Sequence, residues 1–168
     1  MKLSENEIDL SQEEQAHLNK ADDIRKGIKI SDAKLSMDLP IVVKYDYVDT
    51  GKTQYSFSQK FCLCDTQKYF EKMKEITHST INELEEKSSK DKNIHFYRSQ
   101  LKGKIREVVK QIFSTFDDSL IIYHFDLYTS REEANRQNGT RSPRIYFALG
   151  TNGFIYPLFF DPYHELNP

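Results

Sequence analysis

The chain has 168 residues, 38% hydrophobic and 30% charged, with a formal net charge of −2. That length gives a single domain with room for a tail, large enough to bury about two-thirds of its unfolded surface without disulfide or metal support. The near-neutral balance excludes an overall basic field for nucleic acid, so any RNA- or DNA-binding surface must be a local patch.

Residues 1–38 read as a polar N-terminal arm. Residues 1–35 carry six Lys/Arg against eight Asp/Glu, whereas 36–168 carry eighteen of each. Ser11 followed by Glu14 makes a capping-box-like start. A short helix is expected over 12–26, with Gly27 as its C-cap. Its apolar residues, Ala16, Leu18, Ala21 and Ile24, are too few to carry a core. The arm is either flexible or a helix that docks on a partner.

A single α+β domain is expected over 39–168. Pro40 to Val48 alternates Ile41, Val43, Tyr45 and Tyr47 against Val42, Lys44 and Asp46, which predicts a strand. Asp49-Thr50-Gly51-Lys52 then predicts a hairpin turn into a second strand, Gln54 to Leu63, with Tyr55, Phe57, Phe61 and Leu63 on one face. Cys62 and Cys64 fall at its end as two small residues on one face. Cys-x-Cys pairs of this kind rarely close into a disulfide, and a zinc site needs more ligands.

Asp65 to Ile76 has Phe70, Met73 and Ile76 spaced three apart and predicts a helix. Thr80 and Glu83 form a capping box over a second, short helix. Ser88 to Asn93 is a polar break, followed by the short aromatic run Ile94 to Arg98. Ser99 to Phe113 predicts a helix with a stripe of Leu101, Ile105, Val108, Val109 and Ile112. Gly103 weakens it by about 1 kcal/mol relative to Ala.

Ser119 to Tyr128 is the longest strand candidate. Thr129 to Pro143 is a charged loop with Asn138-Gly139 and the arginines Arg131, Arg136 and Arg141; Arg144 follows. The chain closes with a hairpin, Arg144 to Leu149 and Phe154 to Phe160, joined by Gly150-Thr151-Asn152-Gly153. Pro157 lacks a ladder donor, which places it on an edge strand or at a bulge. The predicted order after the arm is ββ-α-α-βββ, an antiparallel sheet of about five strands with helices on one face.

Several chemistries lack their motifs. There is no Gly-x-x-x-x-Gly-Lys-Ser/Thr loop, no Gly-x-Gly-x-x-Gly, no His-Glu-x-x-His and no Gly-x-Ser-x-Gly. No cofactor, nucleotide or metal is expected. No apolar run reaches the roughly 18 residues of a membrane span. Thiols without a leader pattern point to a reducing, cytoplasmic setting.

Among the histidines, His17 reads as a surface residue, His78 as the residue before a helix cap, and His124 as a strand residue with a structural role. His95 and His164 are the candidates for chemistry. His95 sits with Tyr97 and Arg98 before a helix N-terminus, where an anion is favoured. His164 ends the last strand within Asp161-Pro162-Tyr163-His164-Glu165. A histidine, a tyrosine and arginines suffice for metal-free RNA cleavage. One group takes the 2′-hydroxyl proton, another protonates the leaving 5′-oxygen, and arginines stabilise the charged phosphorane. The bland alternatives are a packed His95, a His164 bonded to Asp161 or Glu165, and a solvated arginine loop. Tyr146, Tyr156 and Tyr163 can stack on bases or fill the sheet.

The layout of helices, three strands and a His- and Tyr-bearing tail resembles the RelE/YoeB superfamily of small ribonuclease toxins. The resemblance spans about 39–168 and rests on Arg141, Arg144, Tyr163 and His164. It implies a small antiparallel sheet with helices on one side and metal-free messenger-RNA cleavage. The ending Phe-Phe-Asp-Pro-Tyr-His-Glu-Leu-Asn-Pro is also similar to the ends of small phage and mobile-element proteins, which carry no assigned activity.

The expectation is therefore an RNA-directed protein, in its sharp form a metal-free endoribonuclease toxin of a mobile element or toxin–antitoxin system. The catalytic set is His164, Tyr163, Arg144, Arg141 and His95. The substrate contacts are Arg131, Arg136, Arg98, Tyr97 and Tyr146, and the acidic arm acts as a brake over the basic loop. The rival is a non-catalytic interaction module from a phage or mobile element that acts on a host or defence complex. The partner is RNA in the first case, with an antitoxin as protector, and a host protein in the second.

Overall fold

A computed structural model describes residues 30–90, 95–128 and 143–167. The expected arm helix over 12–26 and the loop arginines Arg131, Arg136 and Arg141 lie outside these residues. In chain order the elements are α1 (Ile30–Met37), β1 (Val42–Val43), α2 (Phe57–Lys60), α3 (Leu63–Ile76), α4 (Ile81–Lys90), β2 (Phe96–Ser99), α5 (Gly103–Ile112), β3 (Ile121–Asp126), β4 (Arg144–Leu149) and β5 (Phe154–Asp161).

The α+β class holds, but the sheet is mixed rather than antiparallel. Its strand order is β1-β5-β4-β3-β2. β2 to β5 pair antiparallel, whereas β1 runs parallel to the start of β5, with Val42 opposite Phe154 and Val43 opposite Ile155. The predicted first strand over 40–48 is thus two residues long.

The predicted second strand over 54–63 does not form. Asp49 is buried and gathers its own loop: Oδ1 accepts from the Gly51 and Lys52 amides at 2.9 and 2.7 Å, and Oδ2 from the Thr53 amide at 3.0 Å and its hydroxyl at 2.5 Å. A carboxylate satisfying several local donors closes a compact loop instead of a hairpin. Phe57 and Phe61, four residues apart, then share one side of the helical turn α2. Their ring centroids are 5.0 Å apart, and both pack on Phe160. Leu63 is 87% exposed, not a sheet-face residue.

The helices cover both faces of the sheet, not one. β3, β4 and β5 are buried almost without interruption, and such strands need apolar cover on each side. Ile121, Tyr123, Phe125, Ile145 and Phe147 form one core with Tyr69, Met73 and Ile76 of α3 and Ile81 and Leu84 of α4. The alternate residues Ile122, Tyr146 and Ala148 form a second core with Ile105, Val108, Val109 and Ile112 of α5. Each large side chain so buried contributes about 1.5–3 kcal/mol.

Individual elements sharpen this picture. On α3 the buried stripe runs through Tyr69, Met73 and Ile76, and Phe70 is exposed. The Thr80 capping box is reciprocal: the Thr80 amide donates to Glu83 Oε2 at 3.0 Å, and the Glu83 amide to Thr80 Oγ1 at 3.2 Å. α5 starts at Gly103 rather than Ser99, because Gly103 turns the chain at φ +52 after β2. At the hairpin, a bulge between Tyr146 and Phe147 meets Pro157 on β5. β5 is internal, so the bulge rather than an edge accommodates the proline. Gly153, at φ +73, lies so close to β1 that an added Cβ would stand 2.5 Å from the Pro40 carbonyl oxygen.

Candidate polar site at the sheet end

The polar residues of β3 and β4 fall at one end of the sheet. Asp126 is paired with Arg144, and Arg144 with Asp161. The Asp126 amide donates to the His95 carbonyl at 3.1 Å, so His95 continues the row past β2. The pleat puts these residues on the face that α5 covers further along the strands. The next row inward is aromatic: Tyr97, His124, Tyr146 and Phe159 stand opposite one another. Their ring centroids are 5.9, 5.3 and 4.8 Å apart in turn.

Arg144 anchors the polar row. Its Nε donates to Asp126 Oδ1 at 2.9 Å, and its Nη1 to the Asn167 carbonyl at 2.6 Å. Both members of the ion pair are 12% exposed. The other Asp126 oxygen lies 3.6 Å from His95 Nδ1.

Asp161 is fully buried and folds the tail over this row. Its Oδ1 accepts from the Tyr163 and Glu165 amides at 3.3 and 3.0 Å, and its Oδ2 from the Leu166 amide at 2.9 Å. Leu166 plugs into the α5-side core. His164 occupies the tight part of the turn at φ +58, a left-handed conformation uncommon for a residue with a side chain. Burial, then the Arg144 charge, lowers the His164 pKa from its ordinary value, against the pull of Asp126.

His124 lies beneath. It is 2% exposed, and its Nδ1 is 2.6 Å from Ser99 Oγ. Burial, then Arg144, His164 and His95, push its pKa down to about 3. Three imidazoles therefore share one environment around the Asp126–Arg144 pair. The Tyr146 hydroxyl, buried in the same place, makes no hydrogen bond of standard geometry among the described residues. Burial pushes it up to about 12, and the nearby Arg144 acts against that rise.

Of the expected catalytic residues, the fold brings His95, Arg144 and His164 together. Tyr146 lies in the adjoining row, and Tyr97, 44% exposed, borders it with its ring 6.2 Å from that of His95. Arg98 alternates to the opposite face, across from Tyr123. Tyr163 turns toward α2, with Lys60 Nζ 4.4 Å from its ring centroid. Arg131, Arg136 and Arg141 fall outside the described residues. Asp126 and Ser99 were not singled out in the sequence. The spacing of Asp126 two residues after His124 was the available signal, because it puts both on one strand face.

Two clefts, of about 460 and 550 Å³, lie along the 46–55 loop and α5 and include Lys52; neither is lined by His164 or Arg144. Among the described residues no group of three or more His, Cys, Asp or Glu side chains is arranged to hold a metal ion. No described helix is long and apolar enough to cross a membrane. No family model, curated protein or solved structure matches the chain.

Proposed function

We propose that this protein cleaves RNA without a metal ion at the sheet-end row, with His164 and His95 as the proton-transfer pair and Arg144 on the phosphate. The observation that supports this reading is the meeting of His95, Arg144 and His164 around Asp126, from three segments far apart in sequence. Two imidazoles beside a guanidinium are sufficient to supply the base, the acid and the charge stabilisation that 2′-hydroxyl attack on phosphorus needs.

The roles follow from the surroundings. His164, its pKa lowered by burial and Arg144, is neutral at pH 7 and takes the 2′-hydroxyl proton. The 2′-oxygen bonds to phosphorus as the bond to the 5′-oxygen breaks. His95, backed by the Asp126 carboxylate, gives its proton to that leaving oxygen. Arg144 has five guanidinium donors, of which the bonds to Asp126 and Asn167 use two; its role in this reading is to stabilise the developing phosphorane charge. Tyr97, exposed beside His95, offers a ring for base stacking. The toxin–antitoxin and mobile-element settings remain part of this proposal on the resemblance of the C-terminal tail alone, because the mixed sheet with helices on both faces departs from the layout that resemblance implied.

The test is chemical. Incubated with single-stranded RNA in excess EDTA, the protein is expected to leave 2′,3′-cyclic phosphate and 5′-hydroxyl ends, and a 2′-deoxy substitution at the cut site is expected to stop cleavage there. Intact RNA after prolonged incubation contradicts the reading.

Two observations favour the non-catalytic alternative. Arg144 already ties the tail down, and Val42, Tyr45, Leu63 and Phe70 are all more than 40% exposed. A host or defence protein docking there predicts intact RNA together with binding that Phe70→Glu abolishes.

A further inference from the structure

Cys62 is the last extended residue before α3, at φ −88 and ψ 174, and Cys64 is the second residue of the helix. Helical side chains lean toward the N-terminus, so the Cys64 thiol points back over the turn that Cys62 occupies. Their Sγ atoms lie 2.6 Å apart. The two thiols are thus side by side at the start of the helix. In a strand, by contrast, residues i and i+2 sit about 6.6 Å apart along the chain and their sulfurs do not meet.

The seat beneath the two thiols is rigid. Asp65, fully buried, accepts from the Cys62 amide at 3.0 Å and from the Tyr128 hydroxyl at 2.6 Å. The Thr66 amide and hydroxyl both donate to the Cys62 carbonyl, at 3.0 and 3.1 Å. The thiols themselves are reachable: Cys62 is exposed, Cys64 half-buried, and no disulfide joins them.

We infer that Cys62 and Cys64 are an oxidation site, a dithiol that closes into an intramolecular disulfide by exchange with a low-molecular-weight disulfide. One thiolate attacks the reagent, breaking its sulfur–sulfur bond and releasing one thiol as a mixed disulfide forms. The second cysteine attacks the protein sulfur of that mixed disulfide and releases the second thiol. Two electrons pass from the cysteines to the reagent, and both cysteine protons end on the released thiols. Burial and the Cys64 thiol push Cys62 up to about 11, so exchange is slow at neutral pH and quickens as the pH rises.

The experiment equilibrates the full chain in glutathione buffers from fully reduced to fully oxidised, quenches with a maleimide, and reads the intact mass. The expected result is joint loss of both alkylation sites, a mass lower by two hydrogens, no glutathione adduct, and full reversal by reductant. Cys64→Ser is expected to keep a glutathione adduct on Cys62. Adducts on the parent chain, disulfide-linked dimers, or thiols untouched at the oxidising end would overturn the inference.

Discussion

Arg144 and Asp161 do for this chain what a capping residue does for a helix: each binds the backbone of the last few residues. Arg144 holds the Asn167 carbonyl, and Asp161 holds three tail amides. Under them lies His124, kept neutral by burial. Its folded pKa of about 3 lies below the ordinary 6.5. The unfolded chain therefore binds a proton that the folded chain refuses between those values. Stability from this residue is complete above about pH 6.5 and is lost as the pH falls, at about 1.4 kcal/mol per unit. Urea unfolding at pH 7.5, 6 and 5 is expected to show that decline, with His164 adding to it in the same direction. His124→Asn is expected to remove most of the slope. A slope unchanged in the variant would place the proton uptake elsewhere.

At the scale of elements, the C-terminal hairpin, the α5 stripe and the Thr80 capping box were legible because each is a local signal. The turn, the periodicity and the cap residues lie within a few positions of the groups they organise. The 54–63 segment was not legible. Its Tyr55–Phe57 alternation resembles a strand, and only the Asp49 loop and the Phe57–Phe61 contact, made in three dimensions, turn it into a helical turn. The two-sided helix cover was present in the sequence in another form. Ile121-Ile122-Tyr123 and Tyr156 to Phe160 are unbroken apolar runs, the mark of strands buried on both faces. Parallel pairing of β1 with β5 joins segments more than a hundred residues apart, and no local pattern encodes it. For the candidate site, His95, Arg144 and His164 could be named from residue type, whereas Asp126 offered only its spacing from His124, and the register with Arg144 supplied its partner. The tail itself is an element with one keystone. Asp161→Ala strands three buried or half-buried amides and releases Leu166, at an expected cost of about 3 kcal/mol. Loss of that size should appear in urea unfolding together with early protease cleavage after residue 160. A variant as stable and resistant as the parent would show that the tail does not depend on this carboxylate.

For the whole molecule, the sheet works as a platform between two helical layers. α3 and α4 fill one face and α5 most of the other; at the polar end Arg144 and Asp161 hold the tail, while His95 and Asp126 border Lys72, Glu75 and Ile76 of α3 and Leu84 of α4. A near-neutral chain gives little long-range attraction for RNA, so the proposed binding would have to rest on local contacts. The central claim is that His95 and His164 move protons at the sheet-end row. The measurement that tests it most directly is the single-turnover rate of RNA cleavage in EDTA for the parent, His95→Ala and His164→Ala, each checked for parent-like urea unfolding. The account predicts a measurable parent rate that falls at least 100-fold in either variant, with the double variant little worse than the worse single one. Parent-like cleavage by a folded His164→Ala protein, or no cleavage by the parent, would contradict it.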